Sequence, residues 1–266
     1  MKSELQQRPV IVHYHLFKCA GTSVEKVLEE NFGSRLLRLD YEASYSRIFA
    51  SELLEALELN DQIAAVTSHQ LKMPLPIQKN LRFVPVVFLR HPLDRILSVY
   101  RFDRRRGPVT YDAKIAVENS LTEYLRIQMD AQKQVVNFHV SSLTDAWDES
   151  TRRPLPIGSD AHLERALSII GKLPVVGVVE RFSESAEAYQ KLISTTFPNF
   201  SFAGDAANVN PNRSLLLEDR LGEMKEEAGE AIYEELLEVN ANDLYLYEIA
   251  NLHLDCVTEG KRGVNA

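Results

Sequence analysis

Lys18, Thr22 and Ser23 fall close together in the stretch HYHLFKCAGTS, which runs from His13 to Ser23, with Cys19, Ala20 and Gly21 between them. A cation, two hydroxyls and small residues, set between an apolar run and a helical run, are suited to holding an anion. Backbone N–H groups at a helix N-terminus and the helix dipole favour negative charge, phosphate above all. Gly21 lets the backbone approach closely, Thr22 and Ser23 add hydroxyl donors, and Lys18 adds a mobile positive charge at the lip. Strand–turn–helix connections with Gly and Ser are common in α/β proteins, so the loop alone reads equally as a phosphate cradle or an ordinary turn. It departs from the nucleotide-triphosphatase pattern, in which glycine and lysine immediately precede the Ser/Thr. Here the lysine stands four residues before Thr22, with no clear metal-binding acidic strand end beside it.

A second group of chemistry-bearing residues lies in FLRHPLDRILSVYRFDRRR, where Arg90 ends an apolar run and Ser98 falls two turns into the next helix. Both can reach one anion over that helix's start, the arginine through its bidentate fork. Taken singly, Arg90 reads as a surface salt bridge and Ser98 as a tolerated helix hydroxyl. Arg104, Arg105 and Arg106 read as a solvated face that can also draw in an anion. Cys19 reads as a small residue filling the loop. A helix N-terminus also lowers a thiol's pKa, which is the competing, reactive reading.

The elements that must position these groups alternate. PVIVHYH (Pro9–His15) reads as a buried strand, GTSVEKVLEENFG as a helix closing at Gly33, and SYSRIFASELLEAL (Ser44–Leu57) as a second helix. DQIAAVTSH (Asp61–His69) and LRFVPVVFLR (Leu81–Arg90) read as strands, and Pro92 suits the first turn of the helix that follows. DAHLERALSIIGKL is helical, PVVGVVE a buried strand, SESAEAYQKLISTTF a helix, and two acidic amphipathic helices follow towards the end. Such alternation predicts an α/β fold of P-loop-like, three-layer type, a central parallel sheet flanked by helices. Residues 1–266 read as one domain. Residues 107–159, weakly periodic with scattered prolines, read as an insertion at the ligand-binding carboxyl edge of the sheet.

Together, the loop and the Arg90 segment resemble PAPS-dependent sulfotransferases, which move a sulfuryl group from 3′-phosphoadenosine 5′-phosphosulfate (PAPS) and release PAP. FKCAGTS resembles the family's 5′-phosphosulfate loop, and FLRHPLDRILSVY its 3′-phosphate element in the form met in carbohydrate and Golgi-type members. VVGVVERFSESAEAYQKL (Val175–Leu192) is similar to a later segment of that branch, while NVNPNR (Asn208–Arg213) and NDLYLYEIA (Asn242–Ala250) match its closing portions more loosely. The resemblance implies that the backbone amides of Ala20, Gly21, Thr22 and Ser23, with the hydroxyls of Thr22 and Ser23, hold the 5′-phosphate, and that Lys18 and Cys19 belong to the same donor-binding loop. It implies that Lys18 neutralises charge on the leaving group, that Arg90 and Ser98 hold the 3′-phosphate, and that Arg213 closes over it or pairs with Glu218. The family needs no metal ion, in keeping with the missing acidic motif.

An acceptor hydroxyl must lose its proton, so a general base is needed. His69 is the candidate: it ends a strand, where its plainer reading is a cap through a backbone hydrogen bond, and the resemblance to the heparan 2-O-sulfotransferase branch puts a catalytic histidine at the matching strand end. That branch has a second histidine two residues earlier, where this chain has Thr67. His13 reads as packing, His15 as shaping the loop, and His91, held extended by Pro92, as local scaffold. His139 and His162, in or beside the 107–159 stretch, read as surface positions, with a place in the lining of the acceptor site as the alternative. Tyr111, Tyr124, Phe138 and Trp147 offer aromatic faces for an acceptor or for ordinary packing.

The formal net charge of −8 argues against a general nucleic-acid or membrane-surface partner. No segment has the apolar length of a membrane span. The first residues lack an apolar signal core, and Cys19 and Cys256 lie far apart, which predicts a cytoplasmic protein. The expected activity is sulfuryl transfer to a hydroxyl of a carbohydrate, glycolipid or secondary metabolite. The competing readings are a P-loop kinase-like phosphotransferase using ATP and Mg²⁺, and a non-catalytic nucleotide-binding module.

Overall fold

Three successive β-branched residues, Val10, Ile11 and Val12, are fully buried and define the centre of the sheet. They belong to β1 (Arg8–Tyr14), which pairs in parallel with β3 (Ala65–Ser68) on one side and β4 (Leu81–Leu89) on the other. β2 (Leu36–Arg38) adds to β3, and β7 (Gly177–Val178) adds to β4, giving a parallel sheet in the order β2-β3-β1-β4-β7. β7 pairs only with Phe88 and Leu89, which leaves Pro85 of β4 outside that ladder, as a residue without an N–H requires. This computed structural model describes residues 7–43, 46–131, 134–144, 147–148, 153–154, 156, 158–203, 214 and 216–260.

The helices follow the strands in turn. α1 (Gly21–Phe32) lies between β1 and β2, α2 (Ala50–Leu59) between β2 and β3, and α3 (Pro92–Arg106) after β4. α4 (Tyr111–Glu118), α5 (Leu121–Asp130) and α6 (Phe138–Leu143) come next, then a short antiparallel pair, β5 (Trp147–Asp148) and β6 (Arg153–Pro154). α7 (Asp160–Ile170) precedes β7 and α8 (Phe182–Ser194) follows it, and the chain closes with α9 (Leu217–Ala228), α10 (Glu230–Val239) and α11 (Ala241–Thr258). The parallel sheet with flanking helices is the α/β architecture expected from the alternation.

The chain divides into two compact units, and both are discontinuous in sequence. The first, residues 1–89, 168–208 and 250–266, holds the five-stranded sheet. Phe88 of β4 anchors an aromatic cluster there with Phe182, Tyr189 and Phe202. Gly177 is required by it, because a Cβ at that position would stand 2.7 Å from the Phe88 ring. The second unit, residues 90–167 and 209–249, has an all-helical core in which Leu93, Ile96 and Tyr100 of α3 pack with Leu125 of α5, Met224 of α9 and Leu236 of α10.

Several boundaries differ from expectation. The helix expected from Ser44 begins at Ala50, where the Glu52 carboxylate accepts the Phe49 amide at 2.8 Å and fixes the first turn. β3 covers only four residues of the expected strand, and β2 was not expected at all. The weakly periodic stretch 107–159 is helical over α4, α5 and α6, each too short to show a clear apolar period.

Candidate functional site

A parallel sheet brings the carboxyl ends of its strands to one edge, and the register shows which residues meet there. Tyr14 of β1 is level with Ser68 of β3, and Arg38 of β2 is level with Thr67. The next residues along therefore leave the sheet side by side: His15 after β1, His69 after β3, and Asp40 two residues past β2. Bonds from the His15 amide to the Ser68 carbonyl (2.9 Å) and from the Leu39 amide to the Thr67 carbonyl (3.0 Å) hold these exits together.

The three side chains form one arrangement. The His15 and His69 rings stack with centroids 3.9 Å apart, and His13 stacks on the far side of His15 at 5.3 Å. Each imidazole presents Nδ1 to a different partner. His13 Nδ1 lies 2.9 Å from the Thr67 hydroxyl, His15 Nδ1 3.3 Å from Glu25 Oε2, and His69 Nδ1 2.8 Å from Asp40 Oδ2. Asp40 Oδ1 also accepts the His69 amide at 2.8 Å and the Ser68 hydroxyl at 3.1 Å. Arg38 clamps the other side of the group, its Nε donating to Glu25 Oε1 at 2.6 Å.

Burial sorts the histidines. His13 and His15 are buried, whereas the His69 side chain is 46% exposed. Burial first, and the neighbouring imidazoles second, hold His13 well below its ordinary value. Burial and His69 take His15 down to about 4, against the opposing pull of Glu25. Burial alone would raise the Asp40 carboxyl, but hydrogen bonds from the His69 ring and amide outweigh it and leave it below the usual range. The site thus has two neutral inner imidazoles, one solvent-facing imidazole and an ionised carboxylate on its Nδ1.

The loop after β1 meets this group through His15. A Cβ on Gly21 would stand 1.8 Å from His15 Cδ2, so the ring occupies the space that any other residue at 21 would need. Lys18 and Ala20 both take left-handed backbone conformations, with φ of 64° and 59°. The Ser23 and Val24 amides close on the Ala20 carbonyl, and the earlier amides of α1 have no acceptor within the helix. No acidic residue occupies the first turn of α1. Thr22 is exposed, Ser23 is buried, and Cys19 is buried with its Sγ 3.7 Å from the Phe17 carbonyl, as a filling residue would be.

In the second unit Arg90 is buried rather than at the surface. Its Nε donates to Asp94 Oδ2 at 2.9 Å, while Arg220 Nε of α9 donates to Asp94 Oδ1 at 3.0 Å. One aspartate therefore orients two guanidiniums. Ser98 is half-buried one turn after Asp94 on the same face of α3. Arg213 lies outside the described residues, as does the side chain of Trp147.

Other expectations are corrected. His139 and His162 are buried, not on the surface. His139 Nδ1 pairs with Asp243 Oδ2 at 2.9 Å, and His162 Nδ1 meets the Ser159 hydroxyl at 3.0 Å. Asp243 also accepts the His139 and Val140 amides, so it caps α6 and serves packing. Tyr124 is a core residue against Tyr100, Phe138 lies beneath Arg95 (3.9 Å to the ring centroid), and Tyr111 is exposed. His91 is packed edge-on against Tyr247, and burial brings it down to about 4. Arg181 is engaged by Glu184 and Asp255. Among the described residues no group of three or more His, Cys, Asp or Glu is placed to hold a metal ion, and no helix is long and apolar enough to cross a membrane.

Sequence reasoning missed Asp40 and Arg220 and undervalued His15. For Asp40 the only signal is its position just after the apolar pair of the LLR run, which is too short to announce a strand. A profile of the Sulfotransferase family matches residues 5–248. An archaeal relative from Archaeoglobus fulgidus (strain ATCC 49558 / DSM 4304 / JCM 9628 / NBRC 100126 / VC-16), named only as an uncharacterized protein, is 30% identical over 251 residues, covering 91% of this chain and 95% of that one. With its parallel sheet, its anion-suited loop and a family match over nearly its whole length, the chain belongs to the sulfotransferase family and is an enzyme of sulfuryl transfer.

Proposed function

We propose that the enzyme moves the sulfuryl group of PAPS to a hydroxyl of a carbohydrate, glycolipid or secondary metabolite, with His69 as general base and Lys18 on the leaving group. The observation that carries this reading is the stack itself. His69, the exposed imidazole, lies 3.9 Å from His15, whose ring packs directly against Gly21 of the loop. A base and an anion-suited loop so placed can hold a donor and take the proton of the hydroxyl that attacks it.

In the proposed reaction the acceptor O–H gives its proton to His69 Nε2 as its oxygen bonds to sulfur. The bond from sulfur to the bridging oxygen breaks, the electron pair stays on that oxygen, and Lys18 neutralises the charge that develops there. The first amides of α1 with Thr22 and Ser23 hold the 5′-phosphate, and Arg90 and Ser98 hold the 3′-phosphate. Residues 107–159 present the acceptor side. Both cysteines are free thiols, which supports a reducing, cytoplasmic setting.

Calorimetric titration with PAP and with adenosine 5′-phosphate, on wild type and Arg90→Ala, tests the donor. Tight binding that needs both the 3′-phosphate and Arg90 is the expected result. Equal affinity for the two nucleotides, or no binding of either, overturns the assignment.

A further inference from the structure

We infer that Asp40, outside every motif that marks the family resemblance, is the positioning residue that fixes His69 as a base. The inference rests on the reading of His69 given above. Both carboxylate oxygens serve the same short segment. Oδ1 accepts the His69 amide and the Ser68 hydroxyl, and Oδ2 faces His69 Nδ1 at 2.8 Å. Main chain and ring are held by one group, so the ring cannot turn without giving up its partner.

An ionised carboxylate accepts hydrogen bonds and donates none, which decides the tautomer. Nδ1 carries the proton, and the lone pair is left on Nε2, the nitrogen that must take a proton from the acceptor. Asp40 stays ionised because the bonds from His69 and Ser68 outweigh its partial burial. When Nε2 takes the proton, Asp40 lies beside the new imidazolium and stabilises it without itself becoming protonated. The charge returns to solvent when the ring releases that proton after product leaves.

The other groups around the His69 ring do not compete for this task. His15 stacks on one face and is kept neutral by burial, its Nδ1 turned to Glu25, which Arg38 neutralises. His13 lies beyond His15 and bonds Thr67. Only Asp40 offers a carboxylate to His69 Nδ1 among the described residues.

Asp40→Asn isolates the effect. The amide oxygen can still accept the His69 amide and the Ser68 hydroxyl, so the local fold is kept. Its NH₂ now donates to Nδ1, which moves the ring proton to Nε2 and blocks the base. Multiple-bond ¹⁵N–¹H NMR of the His69 ring in the full chain with PAP reads this directly. The expected signature is Nδ1–H in wild type and Nε2–H in D40N, with PAP affinity unchanged within twofold. PAP release from PAPS, with water as the accepting hydroxyl, is expected to fall about 10²-fold or more in D40N.

An unchanged tautomer in D40N overturns the inference. So does undiminished PAP release from D40N when His69→Ala abolishes it, a result that leaves the base assignment standing. Full PAP release by His69→Ala overturns instead the reading of His69 on which the inference rests.

Discussion

His15 and His69 lie face to face with ring centroids 3.9 Å apart, although they stand 54 positions apart in the chain. Adjacent parallel strands deliver the pair, and the difference in exposure divides their work. The inner ring is buried against the loop, and the outer ring is open to solvent.

Replacing His69 with alanine removes the only exposed imidazole of the stack. Transfer should drop by about 10²- to 10⁴-fold, the range of a lost general base. PAP affinity, measured by calorimetry, should stay within a few-fold of wild type. A variant that keeps normal transfer rates would show that another group takes the proton.

Gly21→Ala should be worse than its size suggests. Its Cβ would fall 1.8 Å from His15 Cδ2, so the ring must leave its place and the stack with His69 must break. We expect a stability loss of about 1–3 kcal/mol in urea unfolding, as for other overpacked sites, and a loss of PAP binding. Pairing G21A with His15→Ala, which empties that space, should recover much of the stability. Equal instability of the double variant would refute the steric account.

Asp94 is shared by Arg90 and Arg220, all three buried. Removing the carboxylate leaves two like charges close together in a poorly solvated place. Asp94→Ala is therefore expected to cost about 3–5 kcal/mol and to exceed the cost of Arg90→Ala, in which Asp94 keeps Arg220. Denaturant midpoints for the two variants give the order, and the reverse order would contradict the shared-carboxylate picture.

Acid should destabilise the protein in a defined window. His15 and His91 fall to about 4 in the folded state from an ordinary value of 6.5, so below 6.5 the unfolded chain binds more protons. Stability then declines as pH falls from about 6.5 towards about 4, by up to about 1.4 kcal/mol per pH unit for each histidine. His13 adds in the same direction. Asp40 and Asp243, both held below the usual carboxylate range, lose their contributions only at still lower pH. Urea midpoints at pH 7.5, 6 and 5 should fall steadily, and His91→Gln should flatten the slope; a constant midpoint would count against neutral burial.

Much of this was legible in the sequence because it was written in long, single-minded runs. Val10–Val12 and the apolar stretch Leu81–Leu89 are strands by composition alone, and Gly21 after a lysine and small residues marks the loop. His69 was readable as a strand-end residue. Asp40 was not, because β2 is three residues long and its partner, β3, is set by register that no local pattern encodes. Arg220 was hidden for the same kind of reason: its carboxylate lies 126 residues away. The burial of His139 depends on Asp243, 104 residues further on, so its isolated polarity pointed wrongly to the surface. The helices of 107–159 are short, and the caps of α4 and α5, Thr110 and Ser120, are signals weaker than the prolines of the stretch.

The left-handed backbone at Lys18 and Ala20 sets a conflict between endurance and chemistry. Each non-glycine residue held there costs about 1–2 kcal/mol relative to an unstrained one. Glycine would relieve either position. Ala20→Gly should raise the melting temperature and keep transfer, since the amide at 20 remains. Lys18→Gly should raise it as well, but it removes the ammonium assigned to the leaving group. A library sorted for heat resistance alone would therefore enrich glycine at both sites and discard the lysine without any warning from the screen; one sorted for turnover would keep the strain at 18 and relax it at 20. The two selections, run in parallel, would separate the residue that the fold merely tolerates from the one that the proposed reaction needs.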